Sequence, residues 1–148
     1  MVEVIEGDLL DIKEGILLHQ VNCMGRMGSG LAGYIRRKYP KVYDEFKEKS
    51  ENTPREELYG QVQSVKLGDK LFVVNSYSQK YYGRSRGVKY TNEEMLINNI
   101  KKTVEVGTSK GLKVYIPYLI GCGLGNGDWD TIYDGIKDLD LTIIKKED

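Results

Sequence analysis

Two glycine-rich segments carry the strongest chemical signal in this chain. Gly25-Arg26-Met27-Gly28-Ser29-Gly30 and Gly121-Cys122-Gly123-Leu124-Gly125-Asn126-Gly127 each follow an apolar run and precede a helical pattern. Small residues let backbone approach a ligand, and the start of a helix presents unsatisfied amides, so both segments suit an anion such as phosphate. The first lacks the terminal lysine and hydroxyl residue of a nucleoside-triphosphate loop. Its spacing also differs from a dinucleotide fingerprint, so neither an ATPase nor an ordinary dehydrogenase follows. The two cysteines, Cys23 and Cys122, are too few for a disulfide framework or a structural zinc site, and no metal or cofactor is expected. The glycines beside Cys122 supply it with no base, so it reads as a small spacer and not a nucleophile.

Strands and helices must hold these loops. Val2 to Ile5 alternates as a strand, and Ile16 to Val21 is a more continuously apolar run ending at Asn22. Leu31, Ile35 and Tyr39 line one face of a helix that Pro40 interrupts, and a second short helix follows from Lys41. Ser50 to Glu57 is polar, contains Pro54 and reads as a surface connection. Gln61 to Lys66 and Leu71 to Asn75 flank Gly68 and Asp69 as a hairpin, and Ser76 to Tyr90 becomes a polar, aromatic and basic loop. Asn92 can cap a helix carrying Met95, Ile97, Ile100 and Val104. Val114 to Ile120 is a strand, a helix contains Trp129, Ile132 and Ile136, and a last strand lies around Leu141 to Ile144. Alternating strands and helices imply helices on both faces of a mixed or largely parallel sheet. Ligands in such folds bind beyond the strand ends, which is where both glycine loops fall.

The chain of 148 residues has the size of one domain, residues 1–148. Its 22 basic side chains balance 22 acidic ones, so no extended nucleic-acid groove is expected, although a local basic patch is compatible with that balance. No apolar run approaches the roughly 20 residues that span a bilayer, and the first residues lack the pattern of a secretory signal. The expectation is an intracellular, cytoplasmic protein without membrane association.

In this order and setting, VIEGDLL, LLHQVNCMGRMGSGLAGYIRRKYP, KYTNEE and VYIPYLIGCGLGNGDW resemble the macro domain family, which binds ADP-ribose. The likeness spans nearly the whole chain. It is strongest to the subgroup of ADP-ribose 1''-phosphate phosphatases and hydrolases that remove ADP-ribose from acidic protein side chains. The resemblance implies a three-layer α/β/α fold with a central mixed sheet. Asp8 would accept a hydrogen bond from the adenine amino group, the alternative being a surface aspartate in a turn. Asn22 would position the distal ribose, the alternative being a strand cap. Gly28, Ser29 and Gly30 would wrap that ribose and its phosphate, and Gly121, Cys122, Gly123, Leu124 and Gly125 would enclose the diphosphate from the other side.

For catalysis, the same resemblance singles out three residues. His19 in LHQVN would donate a proton or orient water in phosphate release, the alternative being a satisfied histidine in a buried strand. Strand alternation puts His19 with Val21, on the face opposite Gln20 and Asn22. Asp128 would activate water, or else cap the following helix. Lys89 matches a lysine of the ester-cleaving members, where the amine attacks the anomeric carbon. That step needs a neutral amine, and Arg84 and Arg86 are the positive neighbours available to lower its pKa. The alternative is electrostatic contact with the ligand. The acidic position that follows GCGL in those members is Gly125 here, so the lysine and aspartate pair does not transfer directly. Tyr77, Tyr81 and Tyr82 either cover the ligand or pin their loop, and Arg36, Arg37 and Lys38 read as a solvated face. The expected ligand is ADP-ribose or a derivative, with ADP-ribosylated protein as a further partner. The competing reading is a non-catalytic ADP-ribose-binding module, and a broader one is a nucleotide-binding module of relaxed selectivity.

Overall fold

The computed structural model describes residues 1–146. Six strands form one sheet in the order β1 (Glu3–Glu6), β6 (Thr142–Lys145), β5 (Val114–Pro117), β2 (Gly15–Asn22), β4 (Leu71–Gln79), β3 (Val62–Gly68). All neighbours are parallel except β3, which folds back antiparallel on β4 through the turn at Gly68 to Lys70. The sheet is therefore mixed, as expected.

Strand alternation distributes the core to both faces. Leu17, Val21, Val73 and Tyr77 pack under α1 (Gly30–Lys38) and α2 (Pro40–Asn52), against Ile35, Val42 and Phe46. Ile16, Leu18, Val74, Ile116 and Ile143 pack under α4 (Glu93–Lys110) and α5 (Trp129–Ile136), against Leu96, Ile100, Ile132 and Ile136. The result is a three-layer α/β/α sandwich. Helix boundaries follow local chemistry. The Asn92 side chain accepts the amide of Met95 to start α4, and Gly111 ends it in the left-handed conformation, with φ of 68°. Among the described residues no helix is long and apolar enough to cross a membrane.

Three segments depart from the sequence expectation. β5 ends at Pro117 and not at Ile120, and the chain turns there with Leu119 left-handed at φ 61°. β4 does not stop at Asn75 but runs to Gln79, because the polar side chains of Ser76 to Gln79 find partners inside the protein. Asn99 Nδ2 donates to Ser76 Oγ at 2.9 Å, and Ser78 Oγ donates to Gln20 Oε1 at 2.8 Å. Between them Tyr77 is fully buried and stacked on Phe46, with ring centroids 5.9 Å apart. The connection from Ser50 to Glu57 is likewise not all loop. α2 extends to Asn52, and α3 (Arg55–Leu58) forms a single turn that buries Leu58.

Candidate ligand-binding site

The parallel strands β2 and β4 end side by side, so Asn22 and Gln79 stand at one edge of the sheet top. Beyond them lies a cavity of about 420 Å³, bounded by the first glycine loop, by α1, and by the segment after β4. Asn22, Gly28, Ser29 and Leu124 from the predicted set line it. Arg26, Arg36 and Arg84 bring three guanidinium groups to the lining, which includes no carboxylate. Such a wall favours an anionic ligand, and arginine forks match phosphate oxygens.

Asn22 shapes this cavity through the backbone. Its Oδ1 accepts the amides of Met24 and Arg26 at 3.0 and 3.3 Å, and its Nδ2 donates to Arg26 O at 2.8 Å. The side chain thus folds residues 22 to 26 into a closed loop. Ser29 occupies the cap position of α1 but makes no side-chain capping bond, which leaves its hydroxyl and the first-turn amides facing outward. Arg36, with Arg37 and Lys38, is exposed as expected, and it also lies over the ring of Tyr43 at 3.6 Å and reaches the lining.

The second glycine loop is built around Gln20 and Thr91. Gln20 Nε2 donates to Gln79 Oε1 at 3.0 Å and to Thr91 Oγ1 at 2.8 Å, and the threonine hydroxyl donates to Gly121 O at 2.7 Å. Gly125 O accepts the amides of Tyr90 and Thr91 at 2.9 and 3.0 Å. A Cβ on Gly125 would collide with Thr91 Oγ1 and approach Gly121 O to 2.7 Å, so no side chain fits there. Among the described residues the amides of Gly123, Leu124 and Gly125 have no protein acceptor, as an anion-binding loop requires. Asn126, left-handed at φ 57°, latches this loop to the segment after β4. Its Nδ2 donates to Ser85 O and Val88 O at 2.9 and 2.6 Å.

Lys89 and Asp128 come together at the end of that loop, through a residue the sequence analysis did not single out. Glu93 Oε2 accepts from Lys89 Nζ and from the Asp128 amide, each at 2.9 Å. The hydrogen bond and charge of Glu93 raise the Lys89 pKa, so the amine is protonated at neutral pH. Burial pushes the Glu93 carboxyl upward, but its bonds from Lys89 and Asp128 outweigh this and hold it below its ordinary value. Asp128 caps α5, accepting from Thr131 Oγ1 at 2.7 Å and the Asp130 amide at 3.2 Å, and these bonds lower its pKa. Neither Lys89 nor Asp128 lines the cavity.

His19 is sequestered. It lies on the α1 and α2 face, 2% exposed, with Nε2 2.6 Å from Asn75 Oδ1. Asn75 Nδ2 donates onward to Gln63, which assigns its oxygen as the acceptor and places the imidazole proton on Nε2. Burial lowers the His19 pKa to about 4, only partly offset by that hydrogen bond, so the ring is neutral at pH 7. The structure does not bring it to the cavity. Asp8 accepts the Leu10 amide at 2.9 Å, capping the 3₁₀ turn Leu9–Asp11, and stands apart from the lining residues. Gly30 opens α1. Cys122 Sγ is 3.3 Å from Ile120 O, and burial, with the charges of Glu93 and Asp128, raises its thiol to about 11. Gln20, Gln79, Arg26, Arg84 and Tyr43 were not assigned to the site from sequence. Gln20 and Gln79 sit at the strand exits and Arg26 in the first glycine loop, which is a positional signal, whereas nothing in the sequence marks Arg84 or Tyr43 for the site.

No protein-family model matches this chain. It is 31% identical over 144 residues to an uncharacterized 17.5 kDa protein of the tk-vs intergenic region of Enterobacteria phage T4, a match that covers 93% of this chain and 88% of the relative. It is 27% identical over 142 residues to a DNA ADP-ribosyl transferase-DNA ADP-ribosyl glycohydrolase fusion protein of Thermosipho africanus, covering 88% of this chain and 37% of that larger protein. Among solved structures, the macrodomain of Thermus aquaticus DarG superposes with a TM-score of 0.73 at 20% identity, over 100% of this chain and 99% of that one.

Proposed function

The chain belongs to the family of the phage T4 17.5 kDa protein and has the macrodomain fold, and from that premise we propose that it binds ADP-ribose and hydrolyses the bond at the anomeric carbon of its distal ribose. The observation that carries this reading is the cavity at the ends of β2 and β4, with its neutral Asn22 and Ser29, three arginines and no lining carboxylate. Hydroxyls of a ribose match the neutral groups, and a diphosphate matches the guanidiniums and the outward amides of both glycine loops. By the resemblance, Asp8 would take the adenine amino group outside the cavity lining, with the carboxylate oxygen not used on Leu10.

Release of ADP-ribose from a modified macromolecule is the better supported of the two reactions. The phosphatase route, removing a 1''-phosphate with Asp128 and His19, would draw on a histidine that is neutral, bonded to Asn75 and buried in the sheet, whereas Lys89 and Asp128, also outside the cavity lining, meet through Glu93 beside the second glycine loop. The Lys89 ammonium is held charged, so we assign it to stabilising the departing group and assign Asp128 to orienting water at the anomeric carbon. Water supplies the hydroxyl that remains on ADP-ribose, and its proton passes to the leaving acceptor.

The test is turnover of an ADP-ribosylated substrate and of ADP-ribose 1''-phosphate by the natural chain and by Lys89→Ala, Asp128→Asn and His19→Gln. Release of ADP-ribose that falls at least about 100-fold in the first two variants and persists in the third supports the assignment. ADP-ribose binding with no turnover of either substrate would replace it with the non-catalytic module.

A further inference from the structure

The carboxamides of Gln20 and Gln79 meet at the top of the sheet, and the hydrogen bonds around them fix which way each one faces. Thr91, 3% exposed, has a single hydroxyl proton, and it goes to Gly121 O at 2.7 Å, an atom that can only accept. Toward Gln20 the threonine oxygen therefore accepts, so the group 2.8 Å away is the Gln20 amino group. The other end of that amide is Oε1, which takes the Ser78 hydroxyl at 2.8 Å. The second hydrogen on Gln20 Nε2 goes to Gln79 at 3.0 Å, and the atom that receives it must be Oε1. Each assignment forces the next, and the last leaves Gln79 Nε2 on the side of its carboxamide away from Gln20.

The arrangement is anchored from below. Asn99 Nδ2 donates to Ser76 Oγ at 2.9 Å and Ser76 Oγ to Ser78 Oγ at 3.1 Å, so the bonds run in one direction from α4 to Gly121 O. Bonds chained in this way polarise one another, and turning one amide over would break the links on both sides of it. Gln20 gives both amide hydrogens and its oxygen to the protein. Gln79 does not. Its side chain lines the cavity of about 420 Å³, and its Nε2, with two hydrogens, has no acceptor among the described residues. Asn22, its register neighbour on β2, is more committed: Oδ1 already accepts two amides, and Nδ2 gives one of its hydrogens to Arg26 O. Gln79 is thus the fuller amide donor at these strand ends.

We infer that Gln79 is a specificity-determining residue, whose Nε2 donates to a hydroxyl oxygen of the distal ribose. The inference rests on the proposed function and adds to it a side chain that separates ADP-ribose from ADP. Phosphate oxygens have the guanidiniums of Arg26, Arg36 and Arg84 as charged donors, whereas a neutral amide suits an uncharged oxygen. A site built to bond a substrate hydroxyl rejects the analogue that lacks it, because its own donor is then left unpaired. Through Gln20 and Thr91 the same chain of bonds reaches Gly121, so the group that reads the ribose and the loop that faces the diphosphate are held by one network.

Calorimetric affinities for ADP-ribose and ADP are compared in the natural chain, Gln79→Met and Gln79→Glu, with thermal unfolding to report that each variant is folded. Gln79→Met keeps the length of the side chain and removes the donor without adding charge. Gln79→Glu keeps an oxygen for Gln20 and puts a carboxylate oxygen where the amide donor stood. The preference for ADP-ribose over ADP should fall about five-fold or more in Gln79→Met, with ADP affinity within about two-fold of the natural chain. In Gln79→Glu both ligands should weaken, ADP-ribose the more. Nitrogen-15 NMR of the natural chain gives a readout that needs no variant: the Gln79 side-chain amide signals should shift with ADP-ribose and stay in place with ADP. An unchanged preference in Gln79→Met overturns the inference and leaves the proposed function standing. Equal weakening of both ligands in that variant, or amide signals that move with both or with neither, does the same. A folded natural chain that binds no ADP-ribose removes the proposed function and the inference together.

Discussion

Glu93 Oε2 holds Lys89 Nζ and the backbone amide of Asp128 at the same distance, 2.9 Å, so one carboxylate oxygen joins the basic segment after β4 to the start of α5. Replacing it with an amide removes the negative charge but keeps the size. In Glu93→Gln the Lys89 amine should titrate at lower pH than in the natural chain, because its largest source of upward shift is that hydrogen bond. Carbon-13 NMR of reductively methylated lysines follows this directly. An unchanged Lys89 titration would show that the pair is not maintained in solution.

His19 makes stability depend on acid. Its folded pKa of about 4 lies below the ordinary 6.5, so the unfolded chain binds the extra proton. Its favourable contribution is complete above pH 6.5 and declines as pH falls toward 4, reaching a loss of about 2 kcal/mol by pH 5 and about 3 kcal/mol below pH 4. Urea unfolding at pH 7 and pH 5 measures the difference, and His19→Gln should remove most of it. Equal pH dependence in both proteins would contradict the neutral, buried assignment.

Gly125 occupies the position where ester-cleaving macro domains carry an acid, and here a Cβ meets Thr91 Oγ1 and Gly121 O. Gly125→Asp should therefore lose about 2 kcal/mol or more of stability, from steric displacement of Thr91 and its bond to Gly121. Thermal unfolding tests this, and a variant as stable as the natural chain would show that the loop yields.

Asn126 combines a left-handed backbone with the two bonds that latch Ser85 and Val88. Asn126→Gly keeps the backbone freedom and removes only the latch. Faster hydrogen exchange across residues 85 to 90, with global stability within about 1 kcal/mol of the natural chain, is the expected outcome. Unchanged exchange would mean that Gly125 O alone holds the segment.

The sheet and its layers were legible because the apolar run Ile16 to Val21 and the helical spacing of Ile100 and Val104 announce burial by period alone, although in the first turns of α4 the buried residue is Leu96, with the expected Met95 and Ile97 only half-buried. Ser76 to Gln79 were not, since a strand of serines and a glutamine reads as loop until Asn99 and Gln20, distant in sequence, supply its partners. The same reason hid Gln20 and Glu93 from the site. Their importance comes from Thr91, Lys89 and the Asp128 amide, contacts that depend on how two strand ends and two helix starts converge. The run Arg36 to Lys38 is exposed as read, but its spacing did not show that Tyr43, on the next helix, turns its ring beneath the Arg36 guanidinium.

The most direct test of the account is calorimetric titration of ADP-ribose into the purified chain, with ADP and NAD titrated separately. The account predicts saturable one-to-one binding of ADP-ribose, with ADP weaker by about ten-fold or more because it lacks the distal ribose that faces Asn22 and Ser29. No heat with demonstrably folded protein, or equal affinity for ADP and ADP-ribose, would contradict it.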